Sequence, residues 1–292
     1  MQPSEIPSHA TYVPAQEVNP PRKRSALRGL FVLLLLMGLG ISLLVNLVLM
    51  AGGAGYDSTT RLQERHVSHS QYAKDKVAVI TLEGTILEGH GFVKRQIDRI
   101  SKDEDVKAVV LRVNSPGGTV SGSDYIYHHL KQMLAERQIP MVVSMGSLAA
   151  SGGYYVAMAV GDRPDSIYAE PTTWTGSIGV MIPHYNVAKL MADWGVEQDS
   201  VVSHRLKGMG SFTRKMTPEE RAILQSLVDD SFTRFKGIVK DGRPMFRRDA
   251  AALDKIATGQ VFTSQQAIEN GLIDKIGFLE DAVDQAIKMA GL

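Results

Sequence analysis

Residues 108–118 read AVVLRVNSPGG: a short, Val-rich apolar run from Ala108 to Val113, broken by Asn114, Ser115 and Pro116 and closed by Gly117 and Gly118. Such a run ending in turn formers describes a buried strand that stops in a loop. A helical pattern follows, with Ile126, Leu130, Met133 and Leu134 at helical spacing within Tyr125 to Leu134. The alternation extends in both directions. Upstream, strand-like Val77 to Leu82 precedes Phe92 to Ile100, where Val93, Ile97 and Ile100 share a helix face. Downstream, strand-like Met141 to Met145 precedes the apolar helical run Tyr154 to Ala159. Strand and helix in alternation imply a parallel β-sheet with helical crossovers and both faces covered, an α/β fold. Ile178 to Ile182 is another strand candidate. Helices are expected around Val187 to Trp194, from Thr217 onward, and over Ser264 to Asn270 and Leu279 to Met289. At the longest of these, Thr217 caps the N-terminus, Pro218 fits the first turn and Glu220 completes a capping box.

The chain has 292 residues, 32 basic and 31 acidic side chains, eight histidines and no cysteine. Disulfide scaffolds, thiolate nucleophiles and Cys-ligated zinc are thereby excluded. A formal charge of +1 gives no electrostatic reason to expect nucleic acid. No His-x-x-x-His or clustered carboxylate spacing suggests a metal, and no cofactor is expected. The apolar residues are unevenly spread: Leu30 to Met50 contains no charge and, as a helix, spans roughly 30 Å, the thickness of a hydrocarbon core. Arg22, Lys23, Arg24 and Arg28 precede it, whereas Gly52, Gly53 and Gly55 follow. The positive-inside rule puts the N-terminus in the cytoplasm and the rest outside. The expected organisation is a Pro-rich disordered lead (1–28), a transmembrane anchor in the cell membrane (29–51), a juxtamembrane linker (52–74) and one α/β domain (75–292).

Ligands gather at the carboxyl ends of parallel strands, where two loops draw notice. Gly117 and Gly118 let the backbone turn so that N–H groups face a bound oxyanion, although a Pro-Gly-Gly run is also an ordinary tight turn. In Ala149-Ala150-Ser151-Gly152-Gly153 the serine, flanked by residues with little or no side chain, is open to attack a substrate; taken alone, plain helix capping, the usual job of Ser in that place, is the favoured reading.

Taken together, the Ser115 to Gly118 turn, Ser151-Gly152-Gly153, Thr175-Gly176-Ser177-Ile178-Gly179, and the run from Gly259 through Val261-Phe262-Thr263 to Asn270-Gly271-Leu272-Ile273-Asp274 resemble the signal peptide peptidase A family of membrane-anchored serine peptidases. The resemblance covers essentially residues 75–292. It implies the ClpP/crotonase-type fold, a Ser/Lys dyad and degradation of signal peptides left in the membrane. The family's nucleophile falls on Ser151, and its lysine, by distance from Met216-Thr217, on Lys207, with Lys215 as the alternative. Ser177 would orient the amine, and the amides of Gly152 and of Gly118 or Gly117 would form the oxyanion hole. In this family the lysine can come from a neighbouring protomer, so a homo-oligomer is implied. An ordinary lysine, of pKa near 10.4, costs about 4.6 kcal/mol to keep neutral at pH 7, and a shift to about 8 cuts that to roughly 1.4 kcal/mol. Burial supplies such shifts.

Three other readings compete. His184, after Pro183 at a strand end, is an alternative base. A crotonase-type acyl-CoA enzyme also uses two backbone amides, but its substrate is cytoplasmic. An inactive membrane scaffold of the same fold would more naturally have lost Ser151.

Overall fold

The computed structural model describes residues 26–54 and 62–292. The basic flank Arg22 to Arg24, most of the N-terminal lead and the linker residues 55–61 lie outside the described residues. Two units separate, residues 1–60 and 61–292. In the first, helix α1 runs Ala26–Ala54, longer at both ends than the uncharged stretch alone. Its segment Arg28–Val48 is long and apolar enough to cross a membrane, and none of it is buried in the protein.

In the second unit, the alternation around residue 108 becomes a parallel sheet. Strands β1 (Lys76–Glu83), β2 (Val106–Ser115) and β3 (Met141–Ala150) lie side by side, linked by helices α2 (Phe92–Lys102) and α3 (Val120–Arg137). Beyond β3 come β4 (Ile167–Ala169) and β7 (Lys275–Ile276), also parallel. Short β5 (Trp174–Gly176) extends the far end of β3 and pairs antiparallel with β6 (Val261–Thr263). Side chains of β2 alternate between two cores. Val109, Leu111 and Val113 join the larger one with Ile126, Leu130 and Met133 of α3. Ala108 and Val110 face Ala282, Val283 and Ala286 of the terminal helix α10 (Leu279–Ala290). Both faces are therefore covered, as runs rich in Val on either side of the pleat require.

The strand expected at Ile178 to Ile182 does not form. Gly176 and Ser177 both take positive φ (87° and 49°), which turns the chain out of β5; Ile178 is buried but irregular, and Met181 and Ile182 are exposed. The arm that follows carries α5 (Ala188–Asp193) and a 3-10 turn (Arg205–Gly208) before α6 (Pro218–Gly242). Thr217 and Glu220 form the expected capping box, with Glu220 N–H on Thr217 Oγ1 at 3.2 Å and Thr217 N–H on a Glu220 oxygen at 2.9 Å. Helices α7 (Met245–Arg248) and α8 (Ala250–Ile256), which the sequence pattern did not suggest, lead to β6, and α9 (Ser264–Glu269) follows it.

The run Asn270 to Asp274 has a structural task. Asp274 accepts the N–H groups of Ser166 and Ile167, both at 2.9 Å, at the start of β4. It is paired at 2.7 Å with Arg243, whose Nε holds the Gly271 carbonyl. Both charged side chains are nearly buried, 11% and 14% exposed. Asp274→Ala leaves the guanidinium and two N–H groups without their acceptor. The expected loss is about 3 kcal/mol of unfolding free energy, read by urea denaturation of the full chain.

Candidate active site

Strand β2 ends at buried Ser115, whose side chain folds the loop after it: Oγ donates to the Gly84 carbonyl (2.6 Å) and accepts Gly117 N–H (3.1 Å). Ile86 then donates to the Gly117 carbonyl (2.9 Å) and accepts Thr119 N–H (2.7 Å), so Gly118 stands opposite Ile86 in an isolated parallel bridge. In an extended backbone, successive groups point to opposite sides, which turns Gly118 N–H away from Ile86. No side chain fits here. A Cβ on Gly118 would lie 2.0 Å from the Ile86 oxygen, and one on Gly117 would lie 2.4 Å from Gly152 N and 2.9 Å from Ser151 Cβ.

Helix α4 (Gly152–Ala157) starts against that loop, directly after β3. Ser151 links the two with φ 52° and ψ −119°, a region that non-glycine residues enter at a cost of about 1–3 kcal/mol. Its N–H donates to the Gly176 carbonyl (2.9 Å) and its own carbonyl accepts Tyr155 N–H (2.9 Å). A capping serine has extended dihedrals and accepts a helix N–H through its side chain. Ser151 does neither, which removes the capping alternative. Gly152 N–H and Gly118 N–H have no acceptor among the described residues, and Gly118 N lies 3.2 Å from where a Gly152 Cβ would be. Gly117 N–H is already used by Ser115. A half-buried hydroxyl thus sits in a strained turn beside two free backbone donors.

Ser177 lies in the next strand end. Ala150 pairs with Gly176, so Ser151 and Ser177 leave adjacent strands together. Ser177 also has positive φ; its N–H donates to Gln260 O (2.7 Å) and its Oγ to Gly259 O (3.2 Å). The hydroxyl's donor is spent while its lone pairs remain available to a cation or amine. Only five non-glycine residues among those described have positive φ, and Ser151 and Ser177 are two of them.

Among the described residues no hydrogen bond joins either lysine to this pair. Lys207, in the 3-10 turn, is exposed and makes no side-chain hydrogen bond or ion pair among the described residues; Lys215 is exposed as well. His184 Nε2 is buried without a partner among the described residues, and no hydrogen bond joins it to Ser151. Among the described residues no cluster of His, Asp and Glu has a metal-binding arrangement. The sequence pattern also gave no role to Ser115 or to Ser123, whose Oγ lies where a Gly152 Cβ would come within 2.2 Å of it. The signal for Ser115 is a serine at a strand end before Pro-Gly.

Backbone strain at Ser151 is separable from its chemistry. Ser151→Gly relieves the positive φ and is expected to raise unfolding free energy by about 1 kcal/mol, after subtracting the extra freedom of glycine in the unfolded chain. Thermal or urea unfolding checks this; a destabilised Ser151→Gly protein would contradict it.

The sequence that builds this arrangement is similar to known proteins. Residues 133–292 match the model of peptidase family S49, and residues 54–164 that of Clp protease. A candidate protease of Synechocystis sp. is 38% identical over 222 residues, 75% of this chain and 76% of that protein. Protease 4 of Salmonella typhi is 37% identical over 224 residues, 74% of this chain but 35% of its own. A candidate signal peptide peptidase, SppA, of Enterococcus faecium is 38% identical over 193 residues, 66% of this chain and 54% of its own. The chain thus spans only about a third to a half of the length of the last two. With a Clp-protease-like α/β domain, and with the S49 match running over α4 and everything after it, the chain belongs to peptidase family S49 and is a serine peptidase.

Proposed function

We propose that the protein is a membrane-anchored endopeptidase in which Ser151 attacks the peptide carbonyl and Lys207 acts as general base. The observation that carries this is Ser151 itself, a non-capping serine in a strained turn, flanked by the free N–H groups of Gly118 and Gly152. A neutral Lys207 amine takes the hydroxyl proton as Oγ bonds to the carbonyl carbon. The developing oxyanion receives two hydrogen bonds from Gly118 and Gly152, each donor worth on the order of 3 kcal/mol in serine enzymes. The lysine then protonates the leaving amine, and water, deprotonated by the same base, resolves the acyl-enzyme. Ser177 Oγ, with free lone pairs, accepts from the amine and orients it.

The substrates we assign are cleaved signal peptides or other apolar membrane peptides. The name of the Enterococcus relative, a signal peptide peptidase, supports this choice, as does the helix Arg28–Val48, which would keep the catalytic unit at a membrane, outside the cytoplasm by the basic flank before it. The exposed Lys207 points to completion of the dyad by a second copy. The arm between Ser177 and α6 supports such assembly, since Met181, Tyr185 and Trp194 there are each more than three-quarters exposed.

The test is hydrolysis of a fluorogenic apolar leader-derived peptide by the full chain in detergent. Ser151→Ala and Lys207→Ala are each expected to lower kcat at least 1000-fold. Mixing the two inactive variants under exchange is expected to restore part of the activity if the lysine comes from a neighbour. An unchanged rate in Lys207→Ala moves the base to Lys215 or His184, and an unchanged rate in Ser151→Ala rejects the mechanism.

A further inference from the structure

On the reading that Lys207 is the general base, we infer that Arg214 and Glu220 are positioning residues: a latch that ties the Lys207 turn to the first turn of α6. Glu220 is a carboxylate with its side chain only 3% exposed. Arg214 grips it with both terminal nitrogens, Nη1 on Oε2 at 2.9 Å and Nη2 on Oε1, and the same Nη2 also donates to the Gly208 carbonyl at 3.0 Å. Gly208 directly follows Lys207. On the other side of the lysine, Arg205 makes a second two-pronged pair with Glu219, Nη2 to Oε1 at 2.7 Å. The turn that carries Lys207 is therefore fastened at both ends to two adjacent residues of one helix.

That helix is itself fixed to the nucleophile's helix. Phe235, Ile238 and Val239 of α6 are buried in the main core. Arg234 donates to Asp124 of α3 (Nε at 3.1 Å), and the same carboxylate oxygen accepts the Tyr155 hydroxyl of α4 at 2.6 Å. Helix capping does not account for the latch, because the Thr217–Glu220 box needs neither Arg214 nor a bond to Gly208. The guanidinium's planar fork can hold a carboxylate and a carbonyl together, which an ammonium cannot reproduce. Hydrogen bonds from Arg214, and then from Thr217 N–H, hold the Glu220 carboxyl down at about 2. Its folded-state value is depressed, so its contribution is fully present above the ordinary carboxylate range and is lost progressively as pH falls from that range through about 2. The latch is closed throughout the range in which a lysine base works. It acts within one protomer, whichever protomer's Ser151 the lysine serves.

Peptide hydrolysis and Ser151 labelling by a fluorophosphonate, both with the full chain in detergent, test the latch. Arg214→Gln is expected to lower kcat by about 10- to 100-fold with KM within about twofold, since a base displaced by about an ångström loses rate on that scale. Labelling is expected to slow in parallel, and in a Lys207→Ala background Arg214→Gln is expected to slow labelling no further. Arg214→Lys, which keeps the charge but not the fork, falls between; should Arg214→Gln not fold, it decides alone by the same split of kcat and KM. Wild-type kcat in these variants, or equal loss of labelling with and without Lys207, overturns the latch. If Lys207→Ala is dead and Arg214→Gln fully active, only the latch falls; if Lys207→Ala is fully active, the base assignment falls and the latch with it.

Discussion

The candidate active site depends on one close approach, in which the backbone of Gly117 and Gly118 lies against the start of α4 with no room for a methyl group at either glycine. Parallel pairing of β2 and β3 makes the approach possible. The register carries Ser115 beside Ala149, so the loops that leave the two strands emerge side by side and on the same end of the sheet. Ser115 then bends the first loop by bonding Gly84 and Gly117, and the positive φ of Ser151 bends the second into α4. Two N–H groups are left without acceptors among the described residues at the point where the loops meet. In a protein interior such groups are normally paired, so their freedom beside a serine is itself a functional signal.

The rest of the domain holds that junction in place. β5 extends the tip of β3, takes the Ser151 N–H and brings Ser177 alongside, while β6 fixes β5 from its outer edge. Asp274 and Arg243 secure β4, and the Tyr154 hydroxyl of α4 donates to the Leu272 carbonyl at 2.8 Å. The motifs after residue 259 therefore serve as structural support of the candidate site.

What could be read from the chain alone was local. The Val-rich runs at β1, β2 and β3, the helix faces of α2 and α3, and the Thr217–Glu220 box each depend on residues a few positions apart. Ile178 to Ile182 misled because an apolar β-branched run is a strand only where a partner strand awaits it, and the turn at Gly176 and Ser177 carries the chain off the sheet. The strands β4 to β7 are two or three residues long, too short for any periodicity. At the site, Ser151 and its glycines stood out by composition, but whether the serine capped a helix or sat in a strained turn depended on its dihedrals. The choice between Gly117 and Gly118 depended on Ser115 taking one of the two N–H groups. The proposed latch on Lys207 left no signal for a different reason: Gly208, Arg214 and Glu220 lie within twelve residues of one another, but they carry no helical or strand periodicity, and only the fold of the turn brings the Gly208 carbonyl and the Glu220 carboxylate to one guanidinium.

The central claim is that Gly118 and Gly152 form one donor pair aimed at an oxygen held on Ser151. A crystal structure of the full chain with an apolar peptide aldehyde tests it most directly. The account predicts a hemiacetal on Ser151 Oγ whose oxygen lies about 2.7–3.1 Å from both amide nitrogens. An adduct whose oxygen points to solvent or to Gly117, or an aldehyde bound at a residue other than Ser151, would contradict it.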